Sequence, residues 1–211
     1  GDFLTMRRVY MDANATTPLL PEVFEAMRPY FMESFGNASS VHSFGQRARG
    51  AVEQSRMSLA AFLHCRPAEI VFTSGGTEGD NLALFGATKP GDHLLTTTIE
   101  HHAVIHAAER LAQCGREVTF LPVDAHGVVD PDDVRRAIKS NTRLISVMMG
   151  NNETGAIQPV AEIGAIAAER GVQFHTDAVQ TAGKLTLDVE KIGCNLLSIS
   201  GHKMHAPQGT G

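Results

Sequence analysis

The tetrapeptide Ser200-Gly201-His202-Lys203 places a hydroxyl, an imidazole and an amine within one turn of chain, directly after an apolar run. A lysine in a partly closed site can lose its proton and form a Schiff base with an aldehyde. A lone lysine is ordinarily solvated, but a place just after a buried strand argues against that state. Ser200 and His202 could bond a phosphate beside it. Lys184, in a turn-like Gly183-Lys184 context, is expected on the surface.

Four further segments carry polar chemistry of the same kind. In Ser74-Gly75-Gly76-Thr77-Glu78, glycines would let the backbone approach an anion at the opening of a helix, whose free N–H groups point at it. An ordinary helix cap would look similar. Asp177 ends an apolar run, where a carboxylate can bond a protonated ring nitrogen and keep the ring an electron sink, or simply cap a helix after it. His101 and His102 follow Glu100. An imidazole there could stack on a flat cofactor and move protons, or serve as a cap. Asn151-Asn152-Glu153 could bond a ring hydroxyl or a carboxylate, or form a turn. His102 and His106 have i, i+4 spacing, and His202 and His205 also lie close together. Neither pair is accompanied by an HExxH pattern or a cysteine ligand pair, so no metal site is expected.

The elements that must position these segments alternate. Short β-rich runs are expected at 69–73, 93–97, 117–121, 143–149, 172–176 and 196–200. Helices are expected at 21–33, 45–63, 77–87, 102–114, 131–138 and 160–170. Strands that are apolar without a break, such as Leu144-Ile145-Ser146-Val147-Met148, imply an α/β fold: a mostly parallel sheet covered by helices on both faces. Ligands of such sheets bind beyond the carboxyl ends of the strands, where all five polar segments fall. Each has a bland reading alone, and none of those readings explains why they share one edge.

The 211 residues suit one large domain, and a net charge of −5 without a basic stripe argues against a nucleic-acid partner. No apolar run approaches a membrane span, and the start lacks a secretory pattern. Met6 is the expected natural start, with residues 1–5 an appended leader. Three widely spaced cysteines, Cys65, Cys114 and Cys194, suggest reduced thiols and a cytoplasmic setting. Asn14, Asn37 and Asn152 begin N-x-Ser/Thr triplets, read as chance matches.

Taken in order, Met11-Asp12-Ala13-Asn14-Ala15-Thr16-Thr17-Pro18, Phe35-Gly36-Asn37-Ala38-Ser39-Ser40 and Phe72-Thr73-Ser74-Gly75-Gly76-Thr77-Glu78 closely resemble the cysteine desulfurases, class V of the pyridoxal-phosphate (PLP) aminotransferase superfamily. Glu100-His101, Asn151-Asn152-Glu153, His175-Thr176-Asp177-Ala178-Val179-Gln180 and Ser200-Gly201-His202-Lys203 continue the resemblance, which runs from about Val9 to Gly211. It implies the large domain of PLP fold type I, a three-layer α/β/α sandwich over residues 16–211 after an N-terminal segment, 1–15. It implies Lys203 as the Schiff-base lysine and His101 as the stacked ring. Asp177 would be the partner of the ring nitrogen and Gln180 that of the ring hydroxyl. Gly76, Thr77, Ser200 and His202 would hold the phosphate, and Asn152 would lie near the ring and the substrate carboxylate. Lys203 or His101 would move protons at the substrate's α-carbon.

The implied reaction converts L-cysteine to L-alanine and passes the sulfur to a protein cysteine as a persulfide. The implied partners are a second copy, in a homodimer, and an iron–sulfur scaffold or other sulfur acceptor. None of Cys65, Cys114 and Cys194 matches the family's nucleophile. The family continues past Gly211 into a further core strand and a small domain with the nucleophilic cysteine. The expectation is therefore an incomplete core, inactive alone. Its rivals are a non-catalytic PLP-binding scaffold and another class V enzyme, a selenocysteine lyase or an aminotransferase.

Overall fold

In the computed structural model, which describes residues 8–211, five short strands form one parallel sheet. The strands are β1 (His93–Thr97), β2 (Glu117–Leu121), β3 (Thr142–Ser146), β4 (Gln173–Asp177) and β5 (Leu196–Ser198), in the order β2-β1-β3-β4-β5. Met6 lies outside the described residues.

The helices are α1 (Pro21–Met32), α2 (Ser43–Leu63), α3 (Gly76–Ala87), α4 (His102–Gln113), α5 (Pro131–Ala137), α6 (Val160–Arg170) and α7 (Val189–Ile192). Side chains alternate along a strand, so neighbouring residues serve opposite faces. Leu94 and Leu144 join Leu84 of α3 and Val104, Ala108 and Leu111 of α4 in one apolar cluster. Leu95 and Ile145 point the other way, to Val134 of α5 and Val160, Ile163 and Ala167 of α6. The sheet is thus the middle layer of an α/β/α sandwich, as the unbroken apolar strands require. No helix of the described residues is long and apolar enough to cross a membrane.

The differences from expectation have local causes. Residues 69–73 form no strand. A 3-10 turn (Pro67–Glu69) opens them, Glu69 and Ile70 bond back within it, and only Thr73 pairs with a distant segment, exchanging hydrogen bonds with Gly211 at 2.7 and 2.9 Å. β3 ends at Ser146 rather than 149, because the N–H of Met148 is taken by the Glu100 carboxylate. β5 ends at Ser198, and Gly201–Lys203 close a 3-10 turn. The four-residue α7 was not expected, though Asp188 caps it and Gly193 ends it in the left-handed conformation.

The chain runs from β1 outward to β2 and then returns to the other side of β1 for β3. This reversal is a topological switch point, where open sheets leave a crevice beyond the strand ends.

Candidate active site

A cleft of about 200 Å³ occupies that crevice. His101 reaches it from the end of β1, Met148 and Asn152 from β3, Asp177, Val179 and Gln180 from β4, and Ser200, His202 and Lys203 from β5. Gly76, Thr77 and Asp80 of α3 close one side and Ala15 another. All nine residues singled out in the sequence therefore line one cleft.

Lys203 lies on the 3-10 turn after β5, and that turn is strapped down by residues 14–20. Thr17 donates its backbone N–H and its hydroxyl to the His202 carbonyl, at 3.0 and 2.8 Å, and its Oγ1 accepts the His205 N–H at 2.9 Å. Thr16 Oγ1 meets His202 Nδ1 at 3.0 Å. The Asn14 carbonyl accepts Gln180 Nε2 at 2.9 Å and also the Lys203 ammonium. Burial lowers the Lys203 pKa, Lys184 lowers it further, and Asp177 and Asp12 oppose them. Lys184 is exposed, as expected, yet it touches Gln180 at 3.4 Å and so contributes to this field.

His101 caps α4: its Nδ1 accepts the Ala103 N–H at 3.1 Å. An accepting Nδ1 places the proton of the neutral ring on Nε2. Burial keeps the ring's pKa below the ordinary histidine value, helped by His102 and Lys203 and opposed by Asp177 and Glu153. The capping role expected as the bland alternative is real, and it also fixes the tautomer of a ring on the cleft wall.

Asp177 is buried at the end of β4, where its Oδ1 accepts the Val179 N–H at 2.8 Å. Burial raises its pKa, while that hydrogen bond and the charges of His101 and Lys203 pull it back. His101 and Lys203 line the same cleft, so Asp177 offers a carboxylate to whatever is bound among them.

The opposite end suits an anion. The N–H groups of Gly76 and Thr77, in the first turn of α3, have no preceding helical carbonyl to bond. Gly75 holds φ +154°, a conformation open essentially to glycine alone. A Cβ on Gly76 would lie 2.7 Å from Val179 Cγ2, so any larger residue there would have to displace the Val179 side chain. Thr77, buried Ser200 and His202 add hydroxyls and an imidazole.

Asn152 is half-buried, and its Nδ2 donates to Glu153 Oε1 at 2.7 Å. Its position is built by Asn151, which was not assigned a role from the sequence. Asn151 Nδ2 donates to the Ile99 carbonyl at 2.9 Å, and its Oδ1 accepts the N–H groups of Glu153 and Thr154. Glu100 is buried with its pKa pushed up to about 8 by burial, although it accepts from Thr97 Oγ1 at 2.5 Å and from the Met148 N–H. Reading the sequence also missed Asp80, whose signal was an aspartate one turn into a helix on the face that buries Ala83 and Leu84.

These groups fit PLP, the cofactor that the resemblance implies. A glycine-lined helix start matches a phosphate, a buried carboxylate matches a protonated ring nitrogen, and an amine of lowered pKa matches an aldehyde. No cysteine lines the cleft. Cys65 and Cys194 line a separate groove of about 550 Å³ along β5, and burial pushes the Cys194 thiol up to about 11. His102 and His106 stack edge-on at 5.4 Å on α4, and among the described residues no cluster of three or more ligand side chains could hold a metal ion.

Comparison with known proteins places the chain among relatives. The aminotransferase class-V family model matches residues 9–211. A cysteine desulfurase IscS of Dictyoglomus turgidum is 48% identical over 97% of this chain and 53% of its own length. One from Methanosarcina thermophila is 49% identical, over 97% and 52%. Among solved structures, SspA in complex with cysteine superposes with a TM-score of 0.92 at 40% identity, over 95% of this chain and 59% of that one. A NifS-like protein gives 0.94 at 38%, over 97% and 58%. The chain thus spans about half the length of the curated relatives it matches.

Proposed function

Because the chain belongs to the aminotransferase class-V family, we propose that it is the cofactor-binding core of a PLP-dependent cysteine desulfurase. The reaction is the conversion of L-cysteine to L-alanine with transfer of the sulfur to a protein thiol. The observation that carries this reading is the meeting, in one cleft, of Lys203 and His101 with the buried Asp177. The names of the relatives, and the cysteine in the SspA structure, support the substrate.

Lys203 would bond the cofactor, and Gly76, Thr77, Ser200 and His202 would hold its phosphate. Asp177 would pair with the ring nitrogen, His101 would cover the ring, and Asn152 would lie beside it. Gln180 would exchange its Asn14 contact for the ring hydroxyl. When bound, PLP supplies an electron sink for charge developing at the substrate's α-carbon.

The chain's own residues do the rest. The lowered pKa of Lys203 raises the share of its free amine, the form that acts as nucleophile and base. His101 stays largely neutral and can hold a proton on Nε2 while its Nδ1 remains tied to Ala103. Asp177, oriented by the Val179 N–H, would offer its carboxylate to the ring nitrogen. The strap at 14–20 holds the turn that carries Lys203. Since none of Cys65, Cys114 and Cys194 lines the cleft, the thiolate that takes the sulfur comes from outside these 211 residues. The same proposal has the protein supplying sulfur to iron–sulfur or other thio-cofactor assembly, in the cytoplasm, as a homodimer.

The test is spectroscopic. Added PLP should give the absorbance of a lysine-bound cofactor, and L-cysteine should change it. No band in the parent chain, or a band indifferent to L-cysteine, overturns the proposal.

A further inference from the structure

We infer that Asp80 is a positioning residue for the cleft: it is the neutral, proton-carrying member of a buried carboxyl pair whose charged member is Asp177. Both side chains line the cleft, Asp80 from α3 and Asp177 from the end of β4, and they are 1% and 5% exposed. Two carboxylates buried in one small cleft repel each other, and the Asp177 charge acts to raise the Asp80 pKa, so one proton belongs to the pair.

The surroundings decide which side chain holds it. Asp177 accepts the Val179 N–H at 2.8 Å and faces His101 and Lys203, all of which favour its charge. Asp80 Oδ1 accepts no hydrogen bond and faces His175 Nε2 at 3.5 Å. That ring cannot serve as a counter-charge, because burial keeps it neutral. Its Nδ1 and Nε2 already meet Ser146 Oγ and Ser198 Oγ, at 2.8 and 3.0 Å. Glu100, the third buried carboxyl at this end of the sheet, is itself pushed up to about 8 by burial, and the charges of Asp177 and Asp80 act in the same direction on it. Glu78, on Asp80's own helix, is exposed and bonded to the Ser74 N–H.

An unpartnered carboxylate oxygen in that setting is costly, whereas a carboxylic acid can donate its proton to Ser198 Oγ or to an unprotonated His175 Nε2. Burial and then the Asp177 charge push Asp80 up to about 8, outweighing a contact with the Ser198 hydroxyl that pulls it back. Neutral Asp80 then leaves the full negative charge on Asp177, where a ring cation would need it. This last consequence rests on the cofactor reading above, but the protonation of Asp80 does not.

Infrared spectroscopy of the chain without cofactor, with its aspartate carboxyls labelled with ¹³C, tests the inference at neutral pH. The expected result is an isotope-shifted carboxylic-acid band in the parent that is lost in Asp80→Asn. An isosteric amide should also keep PLP affinity within about threefold, while Asp80→Val should lower it, because the polar contacts to Ser198 and His175 are gone. No acid band in the parent, a measurement that needs no variant, overturns the inference. So does a band that survives Asp80→Asn, or a loss of affinity in Asp80→Asn of about tenfold or more, one pKa unit's worth of interaction. Failure of the parent to bind PLP at all would instead overturn the cofactor reading, and the infrared result would still decide Asp80.

Discussion

Both oxygens of the Glu100 carboxylate accept the backbone N–H of Met148, at 3.1 and 3.0 Å. This clamp joins the ends of β1 and β3 at the switch point, while Val147 and Met149 go on bonding to the His175 and Asp177 carbonyls of β4. It lies next to His101 in the chain, and both His101 and Met148 line the cleft. Glu100→Ala leaves the Met148 N–H and the Thr97 hydroxyl buried without an acceptor, and should cost about 2–4 kcal/mol. Glu100→Gln keeps one acceptor oxygen and should cost roughly half as much. Urea midpoints check both, and equal midpoints for Glu100→Ala and the parent would refute the clamp.

Lys203→Arg should abolish cofactor bonding as completely as Lys203→Ala, because a guanidinium does not deprotonate in proteins. Borohydride reduction of the PLP-loaded parent should fix one cofactor mass on the chain, and on neither variant. Mass spectrometry reads the outcome directly.

Asp177→Asn removes the charge while its amide oxygen can still accept from Val179. Asp177 acts to raise the His101 pKa, so in the variant that pKa should fall further below the ordinary histidine value. PLP affinity should fall by about tenfold or more. Nitrogen-15 NMR of the imidazole gives the first quantity. An unchanged His101 titration would mean that Asp177 carries no charge.

Thr17→Val deletes a hydroxyl that donates to the His202 carbonyl and accepts the His205 N–H. The loss of two partly exposed hydrogen bonds should cost about 1–2 kcal/mol. The damage should be local, with faster hydrogen exchange at His205 and at Leu20, whose N–H bonds the His205 carbonyl. Uniform loss of protection across the sheet would contradict a strap confined to the Lys203 turn.

The sheet was legible in the sequence wherever burial dictated pattern. β1 and β2 fall on the expected residues, because fully apolar or alternating runs had no other use. α6 ends where Arg170-Gly171 says it should, with Gly171 in the left-handed conformation. Pattern misled at residues 69–73, which are apolar enough for a strand but pair only at Thr73, since a strand is defined by its partner and not by its own residues. The cleft residues were legible as polar breaks after apolar runs. What joins them was not: Thr17 reaches across 185 positions to His202, and Asp80 faces His175 from another element. Such contacts depend on how elements are stacked, which local spacing does not encode.

His175 supplies the sharpest pH prediction. It is fully buried, meeting Ser146 and Ser198 through its ring nitrogens, and burial pushes its pKa down from 6.5 to about 4. Between those values the unfolded chain binds a proton that the folded chain refuses. Stability from this ring is therefore full above about pH 6.5 and is lost as pH falls through about 4. The slope approaches about 1.4 kcal/mol per pH unit, or roughly 3 kcal/mol across the window. His93, also buried and shifted down, adds in the same sense. Asp80 and Glu100, raised to about 8, act oppositely and lose stability as pH rises. His93 and Glu100 remain in His175→Gln, whereas Asp80 lies 3.5 Å from the ring, so the difference between the two proteins reads the ring together with its contact to Asp80. His175→Gln should be less stable than the parent at pH 7 by about 2–4 kcal/mol, having lost a fully buried hydrogen-bonded side chain. The gap should narrow steadily as pH falls from 6.5 to 4, because only the parent suffers the proton penalty. Denaturant midpoints at half-unit pH steps measure it, and a gap independent of pH would show that His175 is protonated in the folded protein or shielded in the unfolded one.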